Sequence, residues 1–319
     1  MRVVLTGAAG FIGSHLTTAL LDRGDAVVAV DSFLTGRLAN LQHVSDYDAL
    51  TVLEHDVTVP LEVTGHVDAV MHFASPASPA DYNAHPLATL DVGTAGTRSM
   101  LELARSHRAR FLLASTSEVY GDAQQHPQRE DYWGNVNPVG SRSVYDEAKR
   151  CAEAYTMAYC RAGLDSRIAR IFNTYGERMR PNDGRAVPNF MSQALLGDEV
   201  TVYGDGSHTR SLCYISDLVS GVLLLLASDE HLPVNLGNDE EVTVLNLAQR
   251  ILSLVGTDTS LTFRPLPEGD PHVRRPDLSR ARAVLGWAPA VRLDEGLART
   301  LLWFRSVIGG ESRGASARG

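Results

Sequence analysis

Along the first half of the chain, short unbroken apolar runs alternate with stretches of helical spacing. Val3-Val4-Leu5 ends near a glycine; Ile12, Leu16, Ala19 and Leu20 follow at helical spacing; Ala26 to Val30 forms a second run. Further runs lie at Thr51–Leu53, Val67–Phe73, Phe111–Ala114 and Arg167–Ile171, with helical stretches near Leu87–Arg105 and Ser143–Arg161 between the later ones. Strands that are apolar throughout, rather than alternating, are buried on both faces. The pattern therefore predicts an α/β fold: a doubly wound parallel sheet covered by helices. Beyond about Thr174 the pattern loosens, Gly and Pro become frequent, and helices are expected near Asn189–Leu196, Ser216–Ala227 and Leu245–Val255. The expected organisation is a first domain over 1–174, a smaller C-terminal lobe over 175–308, some of whose elements return to the first domain, and a disordered tail over 309–319. A last helix, Leu293 to Ser306, precedes that tail.

Composition narrows the class. With 319 residues, 44% of them hydrophobic and 21% charged, the chain reads as an ordinary globular protein. A net charge of −9 argues against a general binder of nucleic-acid backbone, which needs clustered Lys and Arg. It does not argue against a locally built site for a small anion. Cys151, Cys160 and Cys213 lack metal-ligand spacing and the histidines are scattered, so no metal site is expected. The odd cysteine count fits reduced thiols. No apolar run approaches the ~20 residues of a membrane span, and a strand beginning at Arg2 leaves no room for a signal peptide. The expectation is a cytoplasmic protein with no membrane and no nucleic-acid partner.

The stretch TGAAGFIGSH changes the picture, placing Gly7, Gly10 and Gly13 between the first strand and the first helix. Without Cβ atoms there, backbone amides and the helix start at Phe11 and Ile12 can approach a pyrophosphate, as in a Rossmann-type sheet. Asp31 ends the second strand, 18 residues after Gly13. A carboxylate there accepts hydrogen bonds from the adenosine ribose and repels a 2′-phosphate, which favours NAD over NADP, although Arg37 leaves a small opening for NADP. Ser32, Thr35 and Gly36 in the following loop, Asp56 and Val57 after the third strand, and Phe73 and Ser75 after the fourth complete the candidate cofactor set.

Two further stretches carry chemistry. SVYDEAKR places Tyr145 and Lys149 at i and i+4, on one face of a helix. LASTSEVYG ends an apolar strand in Ser115, Thr116 and Ser117, with Glu118 beside them, where a simple turn would more often use Gly, Asn or Pro. With Lys149 and a positive nicotinamide lowering its phenol pKa, Tyr145 becomes a base near neutral pH, while Thr116 holds the same substrate hydroxyl.

These elements together resemble the extended short-chain dehydrogenase/reductase superfamily, over nearly the whole chain to about Arg305. Within it FASPASPADY, LLASTSEVYGD, HPQREDYWGNVNP, IARIFNTYGERM, NDGRAVPNF, TVYGDGSHTRS and DPHVRRPDL are similar to the UDP-glucuronate decarboxylases, or UDP-xylose synthases. Three positions depart from that pattern. Ala8 stands where a second glycine is common, and Ala148 replaces the glycine of the usual Tyr-Asp-Glu-Gly-Lys. Gly93, in DVGTAGT, stands where many relatives carry a polar side chain near the nicotinamide. None removes a catalytic group.

The resemblance implies NAD as cofactor and a UDP-sugar, UDP-glucuronate, as substrate. It implies that Tyr145 takes the proton of the sugar C4 hydroxyl while hydride leaves C4 for NAD+. The 4-keto product is a β-keto acid, which loses CO2 while Thr116, Tyr145 and neighbouring donors hold the C4 oxygen. Protonation at C5 and return of the hydride then give UDP-xylose. Thr116, Glu118, Tyr145 and Lys149 are the implied catalytic residues, with Glu118 ordering a water or assisting proton transfer at C5. Arg274 and Asp277 match the family's nucleotide-sugar clamp, with Arg210 and Arg185 as further phosphate or carboxylate partners. Ser75, Ser117, Glu118, Asn173 and Tyr203 complete the substrate set. Ser117 takes the place of an Asp that related 4,6-dehydratases need to protonate a departing C6 hydroxyl, which argues against dehydration. Two alternatives stay open. One is C4 epimerisation to UDP-galacturonate through the same ketone; the other is a non-catalytic NAD-binding sensor, against which the presence of Tyr145 and Lys149 speaks. The resemblance also implies a homodimer, with Leu87–Arg105 and Ser143–Arg161 in a four-helix interface.

Overall fold

The computed structural model describes residues 1–266 and 273–316, with side chains as far as residue 309. Six strands form on the apolar runs of the first half: β1 (Arg2–Thr6), β2 (Ala26–Asp31), β3 (Leu50–Glu54), β4 (Ala69–His72), β5 (Arg110–Thr116) and β6 (Ser166–Ile171). Four short strands follow, β7 (Thr174–Tyr175), β8 (Val200–Tyr203), β9 (Thr209–Ser211) and β10 (Cys213–Tyr214). The last three are β11 (Val234–Leu236), β12 (Glu241–Thr243) and β13 (Leu261–Arg264). The main sheet has the order β11-β6-β5-β4-β1-β2-β3, and every pair in it is parallel. Strand order reverses between β1 and β4, so a crevice opens there at the carboxyl ends of the strands.

The apolar runs are continuous because both faces are covered. Val3 and Leu5 pack with Leu16 and Leu20 of α1 (Phe11–Asp22) on one face. Val4, Val70, Phe111 and Leu113 pack on the other with Met100 and Leu101 of α4 (Thr97–His107) and Ala152 of α5 (Ser143–Arg161). Successive strand residues point to opposite faces, and here each face has its own helix layer.

The helix expected over Leu87–Arg105 is divided. A short α2 (Pro79–Ala84) and α3 (Pro86–Asp91) lead into a wide π-helical turn, Val92–Gly96, before α4 begins. Two glycines, Gly93 and Gly96, lie in that turn, and such insertions are common at functional sites.

The remaining helices are α6 (Ala186–Leu196), α7 (Ile215–Ala227), α8 (Val244–Val255), α9 (Ser279–Leu285) and α10 (Leu293–Ser316). The later segments are not all in a separate lobe: β11 joins the edge of the main sheet beside β6, as the sequence left open. One buried core cluster runs from Val3 through α6, α7 and α8 to Phe304, so the two parts share their interior. Three small pairs, β7 with β10, β9 with β12 and β8 with β13, build the rest. The expected tail differs as well. The terminal helix continues to Ser316, and residues 317–319 lie outside the described residues. Among the described residues no helix is long and apolar enough to cross a membrane.

Candidate active site

One cavity of about 670 Å³ opens at the carboxyl ends of the central strands. All the expected site residues line it except Asp277.

The glycine turn forms the cofactor end. Gly7 has φ +68°, and a Cβ on it would lie 2.7 Å from the backbone of Phe73 and Ala74. A Cβ on Gly13 would fall 2.0 Å from the Gly7 carbonyl oxygen, so both positions need hydrogen for packing. Gly10 caps α1 with no side-chain hydrogen bond, leaving the first-turn amides around Phe11 and Ile12 for an anion. The Asp31 carboxylate accepts the amides of Ala9 and Phe33, each at 2.9 Å. Burial raises its pKa above the usual aspartate value against the pull of those two amides. Gly36 passes so close that a Cβ would sit 2.7 Å from Asp31 Oδ1, which leaves Ser32, Thr35 and Gly36 as the rim of the pocket. Asp56 is held in a tight turn by the amide and hydroxyl of Thr58, with Val57 buried beside it. A glycine cradle that Cβ atoms would fill, ending at a carboxylate, fits the pyrophosphate and ribose of NAD.

Lys149 reaches from α5 to the carbonyl oxygen of Ala114 at 2.9 Å and lies 5.9 Å from the centre of the Tyr145 ring. Burial lowers its pKa to about 8. The expected lowering of the Tyr145 phenol is not what the chain alone produces. Burial raises the phenol pKa first, Glu118 raises it further, and a hydrogen bond with Thr116 opposes both. The reason is geometric: Lys149 is spent on the strand carbonyl, while a carboxylate shares the phenol's low-dielectric surroundings.

Glu118 is not a free acid. Its carboxylate accepts a two-pronged bond from Arg274, at 2.6 and 2.7 Å, and a third contact from Arg142 at 2.7 Å. Burial opposes its ionisation, but Arg274 and Arg142 outweigh burial and hold the carboxyl below the usual glutamate range. Arg274, expected on the substrate, is thus seated on an internal carboxylate.

Arg185 makes a fork with Asp183 and stays on the cavity wall, as do Arg210, Tyr203, Asn173, Ser75 and Ser117. Asp277 stands apart from them. Its carboxylate accepts the Ser279 amide at 2.8 Å in the turn just before α9, and its own amide donates to the Gln128 carbonyl, so it does not line the cavity. The first three residues of DPHVRRPDL lie outside the described residues.

Two cavity residues, Arg142 and Tyr82, and one buried neighbour, Asp146, escaped the sequence reading. Arg142 sits one helical turn before Tyr145, a spacing that was open to inspection. Tyr82 stacks on Tyr145 with ring centres 5.3 Å apart and planes 11° apart, and Arg142 lies over the Tyr82 ring at 6.0 Å. Asp146 is buried with Oδ1 unpartnered. No local signal marks a tyrosine 63 residues upstream as a stacking partner.

A dinucleotide cradle at the switch point of a parallel sheet, with a Tyr–Lys pair over the neighbouring strand tip, defines a Rossmann-type nicotinamide-dependent enzyme. More particularly, the chain belongs to the NAD dependent epimerase/dehydratase family, which it matches over residues 3–237. It is 51% identical over 304 residues to UDP-glucuronic acid decarboxylase 1 of Danio rerio, covering 95% of this chain and 72% of that protein. With UDP-glucuronic acid decarboxylase 6 of Arabidopsis thaliana the identity is 48% over 299 residues, 93% of this chain and 87% of that one. Among solved structures, the dTDP-glucose 4,6-dehydratase DesIV of Streptomyces venezuelae, with NAD bound, superposes with a TM-score of 0.89. It is 30% identical, covering 97% of this chain and 98% of that chain. A mutant UDP-glucuronic acid 4-epimerase of Bacillus cereus, in complex with UDP-4-deoxy-4-fluoro-glucuronic acid and NAD, gives 0.86 at 26% identity, covering 96% and 100%.

Proposed function

We propose that this protein is a UDP-glucuronate decarboxylase that makes UDP-xylose through a 4-keto intermediate. The observation that carries the reading is Arg274, which enters the cavity of Tyr145 on a buried fork with Glu118. Both terminal nitrogens of that guanidinium already bond Glu118, two residues beyond Thr116, so it offers a uronate its charge and its remaining N–H groups rather than a second fork. Relatives about half identical over nearly the whole chain carry the decarboxylase name.

When bound, NAD supplies the hydride acceptor and later the donor. The chain's own groups do the rest. Tyr145 takes the C4 hydroxyl proton, helped by the Thr116 hydrogen bond and by Lys149, which keeps its charge below about pH 8. Once C4 is a ketone, the substrate is a β-keto acid, and the C5–carboxylate electrons pass into the carbonyl as CO2 leaves. Thr116 and Tyr145 hold that C4 oxygen while a proton from water adds at C5; hydride return to C4 and the Tyr145 proton to the oxygen would then complete UDP-xylose. Each such preorganised donor is worth roughly 3–4 kcal/mol.

The test is direct. UDP-glucuronate with enzyme and catalytic NAD should release CO2 and show the C5 methylene of UDP-xylose by NMR. UDP-galacturonate with its carboxylate intact would overturn the reading in favour of the epimerase.

We also infer a homodimer joined through α4 and α5. Tyr155, Leu103 and Leu61 line a shallow cavity where those helices meet the solvent, which a second copy would cover. A monomeric mass at micromolar concentration would contradict this. Cys151, Cys160 and Cys213 are all free thiols, which supports placing the protein in the cytoplasm.

A further inference from the structure

A ring of hydrogen bonds surrounds the catalytic strand tip, and it joins residues from six separate parts of the chain. On α5, Glu153 lies four residues after Lys149, one turn along the same face. Lys149 bonds Ala114 O, and the next strand residue, Ser115, donates its hydroxyl to Glu153 Oε1 at 2.6 Å. These two bonds fix the helix against β5.

The ring continues through Arg170 on β6, the register partner of Ser115. Its guanidinium makes a fork with Glu153, at 2.9 and 2.8 Å, and a third bond to the Tyr120 hydroxyl at 2.9 Å. Arg170 also lies 4.9 Å over the Tyr120 ring. The Tyr120 hydroxyl donates to Asn235 Oδ1 at 2.7 Å, and Asn235 on β11 is in turn the register partner of Arg170.

From Asn235 the connection passes to the segment that carries Arg274. The Asn235 amide donates to Gln128 O at 3.0 Å and Asp277 O at 3.2 Å. Gln128 straps the same segment, its side chain accepting the Arg275 amide at 2.7 Å and its backbone bonding Arg275 and Asp277. Arg274 then closes the ring on Glu118, two residues before Tyr120. Ser115, Tyr120, Gln128 and Asn235 are all buried.

We propose that Arg170 and Tyr120 are positioning residues for this reaction. Through them the register of the helix bearing Tyr145 and Lys149 is tied to the placement of Arg274, although neither touches the cavity. The physical reason is the cost of opening the ring. Ser115, Tyr120, Gln128 and Asn235 are buried, and the Arg170 and Glu153 side chains are only 11% and 13% exposed, so a broken bond strands a polar group and the ring holds as a unit. The base that makes the ketone and the arginine that receives the uronate are thereby held at one separation. This inference rests on the functional reading above for the roles of Tyr145 and Arg274.

A double-mutant cycle tests it. Tyr120→Phe keeps the ring packing and removes only the bridging hydroxyl. It should lower kcat about tenfold in the otherwise wild-type protein and less than about threefold in an Arg274→Lys background, because coupled sites are not additive. NAD affinity should stay unchanged. Equal factors in both backgrounds, or a drop in Tm with kcat intact at a permissive temperature, would overturn the proposal and leave the ring a purely structural one. Should Tyr120→Phe fail to fold, Glu153→Gln opens the ring at its other end, and the same two patterns decide. The cycle is read on whichever C4 turnover the wild-type enzyme shows, CO2 release or epimerisation. Failure of the decarboxylase reading is therefore seen in the wild type alone.

Discussion

Gly93 and Ala148 occupy one space. A Cβ built on Gly93 would lie 2.6 Å from the Ala148 Cβ and 2.8 Å from its carbonyl oxygen. These are two of the three positions at which the sequence departs from the pattern of the family it resembles, and the fold sets them face to face. The larger residue on α5 is admitted because the facing turn carries no side chain. Gly93→Ala alone should destabilise by about 1–3 kcal/mol, as overpacking does. Adding Ala148→Gly removes the Cβ contact but leaves the residue-148 carbonyl oxygen at 2.8 Å, so it should restore only part of that, less the roughly 1 kcal/mol a helical glycine costs. Additive losses in thermal denaturation would show that the two positions do not share this space.

Tyr145→Phe keeps the ring stacked on Tyr82 and removes the hydroxyl proposed above as the base at C4. UDP-sugar binding should survive while turnover falls by ~10²–10⁴-fold. The stacking, with ring centres 5.3 Å apart, is the reason binding geometry should hold. Turnover within a few-fold of wild type would mean that another group removes the proton.

Asp31 should exclude NADP. Its carboxylate is fixed by the amides of Ala9 and Phe33 and crowded by Gly36, so it cannot swing away from a 2′-phosphate. Juxtaposed like charges cost several kcal/mol, which predicts NADP binding at least ~100-fold weaker than NAD in a fluorescence titration. Similar affinities would contradict it.

Asp146 gives the protein a pH-dependent weakness. It is buried against Glu118, Arg142, Arg274 and Glu147, and burial followed by Glu118 raises its pKa from 3.8 to about 7. A carboxyl with a raised folded-state value binds more protons folded than unfolded between those limits. Its stabilising contribution is present below about pH 4 and lost as pH rises through about 7. Asp146→Asn has no charge to lose, so its Tm advantage over wild type should grow between about pH 5 and about pH 8. A difference that does not change with pH would rule the explanation out.

The parts of this protein that the sequence by itself determined are those that depend on neighbours in the chain. Apolar runs placed β1 to β6, glycine spacing placed the turn at Gly7, Gly10 and Gly13, and four-residue spacing put Tyr145 and Lys149 on one helix face. Each follows from local sterics and periodicity, and the parallel sheet then brings them to one edge. Tertiary structure decided what depends on charges meeting across long separations. Glu118 and Arg274 are 156 residues apart, and nothing local shows that they form a buried fork in which the glutamate is ionised. The same holds for Lys149, whose bond to Ala114 O leaves the Tyr145 phenol governed by burial and Glu118. Asp277 lies off the cavity, bonded to the Ser279 amide in the turn before α9, and β11 left the second lobe to finish the main sheet. A motif fixes which side chains are available, while their partners and protonation depend on which groups the fold desolvates together.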